Sequence, residues 1–538
     1  MDPSNGPDER TDGALTGVPS GLPDGRYRAE VRRVFGSAAS GTRRTAEVRI
    51  DPDGRSHGLV TALLPASAFD ADASVRAGTF HELRITDGRV VGTDLDLDAT
   101  VGANASGIDG RRYAVPVRWT AASAGRVERE PHVLALERNH SVLVAGEPGA
   151  GKTEFVQLLL PQIESRPDEP VVVFSYKDDY TDWARDHADR EVVRLSLDDS
   201  TDYWNLFREA ASEAEFEQLG RTLFEEHVRE AKNPFFPRTA RQLFAATLKY
   251  LRREGRRSGL RPDNREVEDF FGRFSSEEVF DLLGEHEDLR GAVEAINPDA
   301  YKQAAGVYAT LQSVVRELFV GDFARPNGEF SVREYMDDPD GRTLVLDYPI
   351  EEGDRVTPVF RLWIDRAIQY ALADRSRGAY FVLDEFARIP HIERMDALVA
   401  TGRARRTQAI LGLQSLSQLA QTYDDDTVDA LLSGLTQEVF LRSGDERTVE
   451  YVRSRLGGLD STTYTMSGDG AGDGPRVETS VSGSPMKGRL QRLADGEGIV
   501  YATRGWVHAR MPMWRQLDPE TRRVIAERRG VDRGRGGR

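Results

Sequence analysis

The 538-residue chain contains no cysteine, which excludes disulfides, thiolate metal sites and thiol nucleophiles. Lysine is almost as scarce, occurring only at positions 152, 177, 232, 249, 302 and 487. No apolar run approaches the roughly 18 residues that a membrane-spanning helix needs, and no signal peptide is recognisable. The expectation is a soluble, cytoplasmic protein. Positive charge is outnumbered as well, 72 Lys and Arg against 89 Asp and Glu, for a net charge of −17. An acidic, arginine-rich surface suits a cytoplasm at high salt, where screening is short-ranged. It does not exclude nucleic acid as a partner. The nine histidines show no paired ligand spacing.

What is present is periodic. Residues 1–20 are rich in Pro, Gly and Asp and read as disordered. Residues 21–101 carry short alternating runs separated by Gly, Pro and Asp, the pattern of a small β-rich domain, and 102–112 reads as a linker. From Tyr113 buried strands alternate with helices, as in a parallel α/β sheet. The expected strands are Ser141–Ala145, Val171–Ser175, Val192–Leu195, Thr343–Leu346, Ala379–Leu383, Ala409–Leu413 and Glu438–Leu441. This core falls in two parts, 113–205 and 336–516. An all-α insert over 206–335 separates them, its runs repeating every 3.6 residues. Residues 467–485, "SGDGAGDGPRVETSVSGSP", read as a flexible loop, and 517–538 as a C-terminal helix with a basic Arg/Gly tail.

The first chemical signal is "GEPGAGKT". Gly146, Glu147, Pro148, Gly149, Ala150, Gly151, Lys152 and Thr153 match G-x-x-x-x-G-K-[ST] in full, between an apolar strand and a helix, with Glu154 in that helix's first turn. Such a loop converges backbone N–H groups on phosphate oxygens at a helix N-terminus. Lys152 would reach the β- and γ-phosphates and the Thr153 hydroxyl would bind Mg²⁺. The second signal is "AYFVLDEFARIP", a buried strand ending in two adjacent carboxylates. Charge at a core edge is costly unless something uses it. Asp384 suits the Mg²⁺ shell of a P-loop NTPase. Glu385, facing the other way along the strand, could orient or deprotonate the attacking water. The third is Gln414, which ends a strand at the same rim and could hydrogen-bond both water and γ-phosphate, or simply cap a surface helix. Arg403, before that strand, reads either as an arginine finger for a neighbouring subunit or as a solvated surface residue.

Together these segments resemble the type IV coupling proteins of conjugation and type IV secretion, the TraG/TraD-like branch of the FtsK/HerA-type ATPases. The resemblance covers roughly 130–516. It rests on "GEPGAGKT", on "FVLDEFARIPHIERMDALVATGRARRTQAILGLQSLSQLAQTY", on "YWNLF" with "NPFFPRTARQLFAATLKYL", and on the C-terminal "LQRLADGEGIVYATRGWVHARMPMW". It implies an α/β, RecA-like P-loop NTPase core, assembled as a homo-hexamer, that hydrolyses ATP with Mg²⁺ to move DNA. It casts Asp384 and Glu385 as the Walker B pair, Gln414 as sensor and Arg403 as the finger acting in trans. A relaxase or other nucleoprotein would be the cargo, and the membrane would be reached only through a partner. Two features depart from the family. A β-rich module stands where membrane helices are usual, and Ser175 stands where the second strand often carries Asp. A HerA-like DNA-processing translocase, a protein-secretion ATPase and a nucleotide-gated adaptor are the competing readings. The basic run 248–261, "LKYLRREGRRSGLR", is either a DNA-phosphate contact or a solvated helix face.

Overall fold

The computed structural model describes residues 25–526 apart from short internal stretches, most of them before residue 132 or between 456 and 485. The disorder expected for 1–20, most of the linker and the basic tail lie outside the described residues.

Five strands open the described chain: β1 (Gly25–Phe35), β2 (Thr45–Asp51), β3 (Val60–Pro65), β4 (Phe80–Thr86) and β5 (Arg89–Leu95). They pair antiparallel in the order β3-β2-β1-β4-β5. The next strands are β6 (Arg112–Val117), β7 (Trp119–Ala122), β8 (Val127–Glu128), β9 (His132–Glu137) and β10 (Val142–Ala145). Beyond them come β11 (Val171–Tyr176), β12 (Val192–Leu195), β13 (Thr343–Tyr348), β14 (Ala379–Leu383), β15 (Thr407–Leu413) and β16 (Gln437–Phe440). The last four are β17 (Thr462–Ser467), β18 (Arg476–Val481), β19 (Glu497–Ala502) and β20 (Gly505–Arg510).

The large sheet runs β12-β13-β11-β14-β15-β10-β16-β19-β20-β7-β8. Its first seven strands are parallel and the remainder antiparallel. β10, β11, β13, β14 and β15 are buried along their whole length, because both faces of a parallel sheet are covered and such strands read as unbroken apolar runs. Successive side chains alternate between those faces. Leu143, Ala145, Phe381 and Leu383 join the core that continues into the helical insert. Val142, Val144, Tyr380 and Val382 join the core under the helix Lys152–Glu164, with Phe155, Leu158 and Leu159.

The insert leaves and re-enters the sheet at one neck. Trp204 bridges to Phe330, and Asn205 N–H donates to the Phe330 carbonyl at 2.9 Å. Asn264 reaches back to the neck, donating to the Trp204 and Phe323 carbonyls at 2.9 and 2.8 Å. Glu209, fully buried, accepts from the Trp204 indole at 3.0 Å and from the Val332 and Arg333 amides at 2.6 and 3.3 Å. Trp204 and Trp363 pack edge to face with centroids 5.5 Å apart. Between the neck's two sides run the helices Glu215–Glu230, Phe235–Ser258, Asn264–Arg273, Ser276–Gly284 and Tyr301–Leu318. Their limits follow local chemistry: Asp263 and Ser275 cap helix starts, and Gly259, with φ 71°, closes the longest.

The loop expected at 467–485 is corrected in part. β17 and β18 pair antiparallel across it, and 468–475 and 482–485 lie outside the described residues. Val477, Thr479 and Val481 alternate with Arg476, Glu478 and Ser480 in β18, and β17 is rich in Thr with Tyr464, a β signal that the Gly-rich tip obscured. No described helix is long and apolar enough to cross a membrane.

A candidate nucleotide site at the rim of the parallel sheet

β10 delivers the glycine loop to the C-terminal rim of the sheet, where open α/β sheets bind ligands. Gly149 and Gly151 adopt φ of 78° and 103°, a region that L side chains rarely enter. Gly146 is needed for space: a Cβ there would lie 2.8 Å from Leu441 Cβ. The loop amides divide their labour. Gly146 N–H donates to Leu413 O and Glu147 N–H to Arg442 O, at 3.0 and 2.9 Å, while Ala150 N–H donates to Glu147 O. These bonds hold the loop's shape. The helix Lys152–Glu164 then starts at Gly151 with no side-chain cap, which leaves the orphan N–H groups of its first turn, at Lys152, Thr153 and Glu154, to an incoming anion. The Glu147 carboxylate turns aside, 2.6 Å from Arg442 Nε. Glu154 lies 3.6 Å from Arg515 Nε.

Lys152 and Thr153 meet the two acids that follow β14, Thr153 and Asp384 lying 231 residues apart in the chain. The Thr153 hydroxyl is 3.3 Å from Asp384 Oδ2. The Lys152 ammonium donates to the Gly146 carbonyl at 2.8 Å and stands 3.6 Å from Glu385 Oε1. All three charged groups are buried. Two carboxylates against one lysine leave a net negative cluster, and a hydroxyl and a carboxylate converge beside it. That donor set fits Mg²⁺, which takes one or two protein oxygens and completes its shell with phosphates and water. Among the described residues no cluster of three or more His, Asp or Glu could form an all-protein metal cage.

The orientation expected for Glu385 is corrected. β14 ends at Leu383, and the backbone turns left-handed at Glu385, with φ 54° and ψ 45°. The turn brings Glu385 back toward Lys152 instead of away from Asp384. A left-handed non-glycine residue costs about 1–2 kcal/mol, and the 3₁₀ turn that follows holds it, with Arg388 N–H donating to Glu385 O at 2.8 Å. One Glu385 oxygen, Oε2, is buried without a hydrogen-bond partner among the described residues.

Gln414 follows β15 directly, next to the Leu413 carbonyl that anchors the glycine loop. It therefore sits at the site's rim, half-buried. Arg403 sits elsewhere. It lies exposed in the short turn Gly402–Arg405 before β15, at the opposite end of a seven-residue strand that spans about 20 Å. There its charge, together with burial, holds the His140 imidazole below its ordinary range, burial being the larger cause. Arg403 cannot reach the glycine loop of its own chain.

Two contributors escaped the sequence reading. Gly412 lies in β15 beside Asp384, and a Cβ there would come 2.5 Å from Asp384 Oδ1. A lone glycine inside an apolar strand is the signal for such close approach. Arg442 follows β16 and spans Glu147 of the loop and Asp495, at 2.6 and 2.7 Å; one arginine among many carries no such signal.

The basic run 248–261 is largely neutralised within the insert. Arg252 is buried and donates to the Ala210 carbonyl at 2.7 Å and to the Phe207 carbonyl. Arg253 pairs with Glu213 and Asp288, each at 2.6 Å, Lys249 with Glu217 at 2.8 Å, and Arg257 with Glu254.

A glycine loop and an acid-tipped strand, one strand apart at the rim of a parallel sheet, define a RecA-like P-loop NTPase. Within that class the chain belongs to the type IV secretion-system coupling proteins, whose DNA-binding domain model matches residues 126–511. It is 22% identical to the coupling protein TraD of Escherichia coli K12 over 343 residues, 61% of this chain and 46% of TraD. It is 28% identical to VirD4 of Rhizobium rhizogenes over 160 residues, 28% of this chain and 23% of VirD4. The chain thus aligns with less than half the length of these relatives. The fold matches that of the conjugative coupling protein TrwB lacking its first 70 residues, unbound, with a TM-score of 0.52 and 20% identity over 70% of this chain and 87% of TrwB. TrwB in complex with ADP and Mg²⁺ matches with the same TM-score and 21% identity, over 70% of this chain and 85% of that one.

Proposed function

We propose that the chain is an ATP-hydrolysing DNA translocase of the coupling-protein kind. One observation carries the reading: Lys152 and Thr153 of the glycine loop meet Asp384 and Glu385 of a remote strand around one small volume. In this reading Lys152 binds the β- and γ-phosphates, the first-turn amides cradle the remaining oxygens, and Thr153 and Asp384 hold Mg²⁺, which supplies charge neutralisation at the transferring phosphoryl group. Glu385, already turned toward Lys152, orients the attacking water and takes its proton. Gln414 contacts water and γ-phosphate from the rim and reports nucleotide state. Arg403, at the far end of β15, serves only a neighbouring subunit's site, which requires an assembly such as a homo-hexameric ring. DNA is the polymer moved, a relaxase-bound strand the cargo, and any membrane contact passes through a partner protein.

The test is the ATPase rate at high salt with and without DNA, beside the mass of the assembled particle. Stimulation by DNA in a ring-sized particle is expected. Turnover indifferent to DNA would transfer the reading to a protein-pumping ATPase, and binding without turnover to a nucleotide-gated adaptor. Protomers carrying Arg403→Ala mixed with protomers carrying Glu385→Gln should regain activity where an intact arginine faces an intact glutamate. No regain at any mixing ratio would end the trans role of Arg403.

A further inference from the structure

The five strands that open the described chain lie outside the residues matched to the coupling proteins, and their charge sets them apart. Over residues 25–95 eleven arginines stand against nine Asp and Glu, with no lysine, a net of +2 within a chain of −17. The order β3-β2-β1-β4-β5 lays three successive strands side by side and returns the fourth beside the first, which is the Greek-key arrangement. β1 serves both halves. Its residues 25–30 pair with β4 and 28–35 with β2, and a bulge between Val31 and Arg33 bends it. A curved five-stranded Greek-key sheet is the scaffold of barrels that bind oligonucleotides. A scaffold by itself assigns no ligand; the register of this one does.

Val31 and Ala46 are buried, so theirs is the inner face of the sheet. Strand residues alternate between faces, and pairing carries Val48 and Val34 to the same side. The other face holds the charge. There Arg28 stands opposite Asp51, Glu30 opposite Arg49 and Arg33 opposite Glu47, cross-strand pairs of unlike charge that steady a sheet. One position breaks the ladder. Arg26 stands opposite Arg84, and like charges directly opposite are destabilising. Arg89, opposite Thr86, adds a third arginine to the same end of that face, about 7 Å farther along β4. Phe80 shares the face through its pairing with Glu30, about 13 Å from Arg84 in the other direction, an aromatic residue among charged ones.

We propose that Arg26, Arg84 and Arg89, gathered by the register of β1, β4 and β5, bind the phosphodiester backbone of a single-stranded nucleic acid, with Phe80 as a platform for its bases. The inference stands apart from the ATPase reading, since none of these residues belongs to the site at the rim of the large sheet. A phosphate between Arg26 and Arg84 turns a repulsive pair into a bridged one, and the planar guanidinium suits phosphate oxygens. Free phosphate would have no use for the aromatic residue. An unpaired base does, because its face is open to stacking, whereas the bases of a duplex already stack on one another.

The test is fluorescence anisotropy of the full chain with a labelled oligothymidylate, and with the matching duplex as a second probe, over a range of KCl. In the double variant Arg26→Gln, Arg84→Gln the single strand should bind more weakly. The slope of log affinity on log salt should shrink by about 1.4, from two contacts at about 0.7 each. Phe80→Ala should weaken single-strand binding about tenfold, with the slope and the duplex affinity unchanged. Exchanging the arginines removes a like-charge pair, so the melting temperature should hold or rise. A fall would show the two arginines holding the sheet together and would overturn the site, as would an unchanged salt slope. Equal losses for strand and duplex in Phe80→Ala would overturn the choice of a single strand. Displacement of the oligonucleotide by inorganic phosphate at constant ionic strength would make this a free-phosphate site and overturn the nucleic-acid assignment.

Discussion

Two buried glutamates, one at the neck of the insert and one at the rim of the sheet, are treated in opposite ways. Glu209 is saturated: an indole and two backbone amides donate to its oxygens, and Arg366 lies close. Glu385 has one ion pair at 3.6 Å, a buried oxygen with no hydrogen-bond partner among the described residues, and a left-handed backbone. A buried carboxylate left short of donors costs stability, and so does the turn that aims it. The difference separates an acid that holds the chain together from one that keeps its capacity for a ligand. Strain and under-satisfaction mark the second kind without reference to any motif.

The comparison breaks most sharply at the nucleotide end. Lys152→Ala should abolish ATP hydrolysis and weaken ATP binding severely; retained turnover would remove the glycine-loop assignment. Glu385→Gln should lower the turnover rate by about 10²–10⁴-fold, the usual contribution of general acid–base catalysis, with ATP affinity nearly unchanged. A matching loss of ATP affinity would make Glu385 a binding group. Gly412→Ala tests the packing behind the acids. The added methyl displaces the Asp384 carboxylate, so the Mg²⁺ concentration for half-maximal activity should rise about tenfold or more, an order of magnitude taken from the loss of a metal site's supporting contacts.

The rim was legible in the sequence because phosphate binding demands a fixed spacing of glycines, and because an apolar strand tipped with acids is a costly arrangement that has a use. The parallel strands were legible for a related reason: burial on both faces leaves unbroken apolar runs. What escaped was pairwise. Nothing in "ILGLQ" says that its glycine faces Asp384, and no spacing rule says that Arg442 will clasp Glu147. The direction of Glu385 was misread because strand alternation was carried one residue too far, past the point where the chain turns. Glu209 was invisible, since an acid inside a helical insert reads as a solvated face until the neck's two sides are brought together.

At the neck the expected effects are on stability, not turnover. Burial pushes the Glu209 carboxyl above its ordinary range, the dominant cause, against the pull of the Val332 amide and Arg366. With the folded value raised, its share of stability is complete below the ordinary glutamate range and is lost as pH rises through the raised value. Glu209→Gln keeps the shape, turns an amide NH₂ toward backbone donors, and should cost about 1–3 kcal/mol. Its melting temperature should fall and lose that part of the pH dependence, with ATP affinity unaltered. Equal pH profiles for the two proteins would show that Glu209 does not titrate differently on folding.

The smallest effect sharpens the comparison for positive charge. Arg253 stands in the most basic run of the helical insert, yet Glu213 and Asp288 each approach it to 2.6 Å, and these bonds raise its pKa above the usual arginine value. A cation already paired twice brings little net attraction to a phosphate backbone, because each contact must first break an existing pair. The pairs are partly exposed, so Arg253→Ala should cost only about 0.2–1 kcal/mol of stability. DNA affinity and its salt dependence should stay as they are. A drop in affinity with the salt slope reduced by about one would instead mean that Arg253 leaves its acids for phosphate, and that the insert's basic run is held in reserve as the oxygen of Glu385 is.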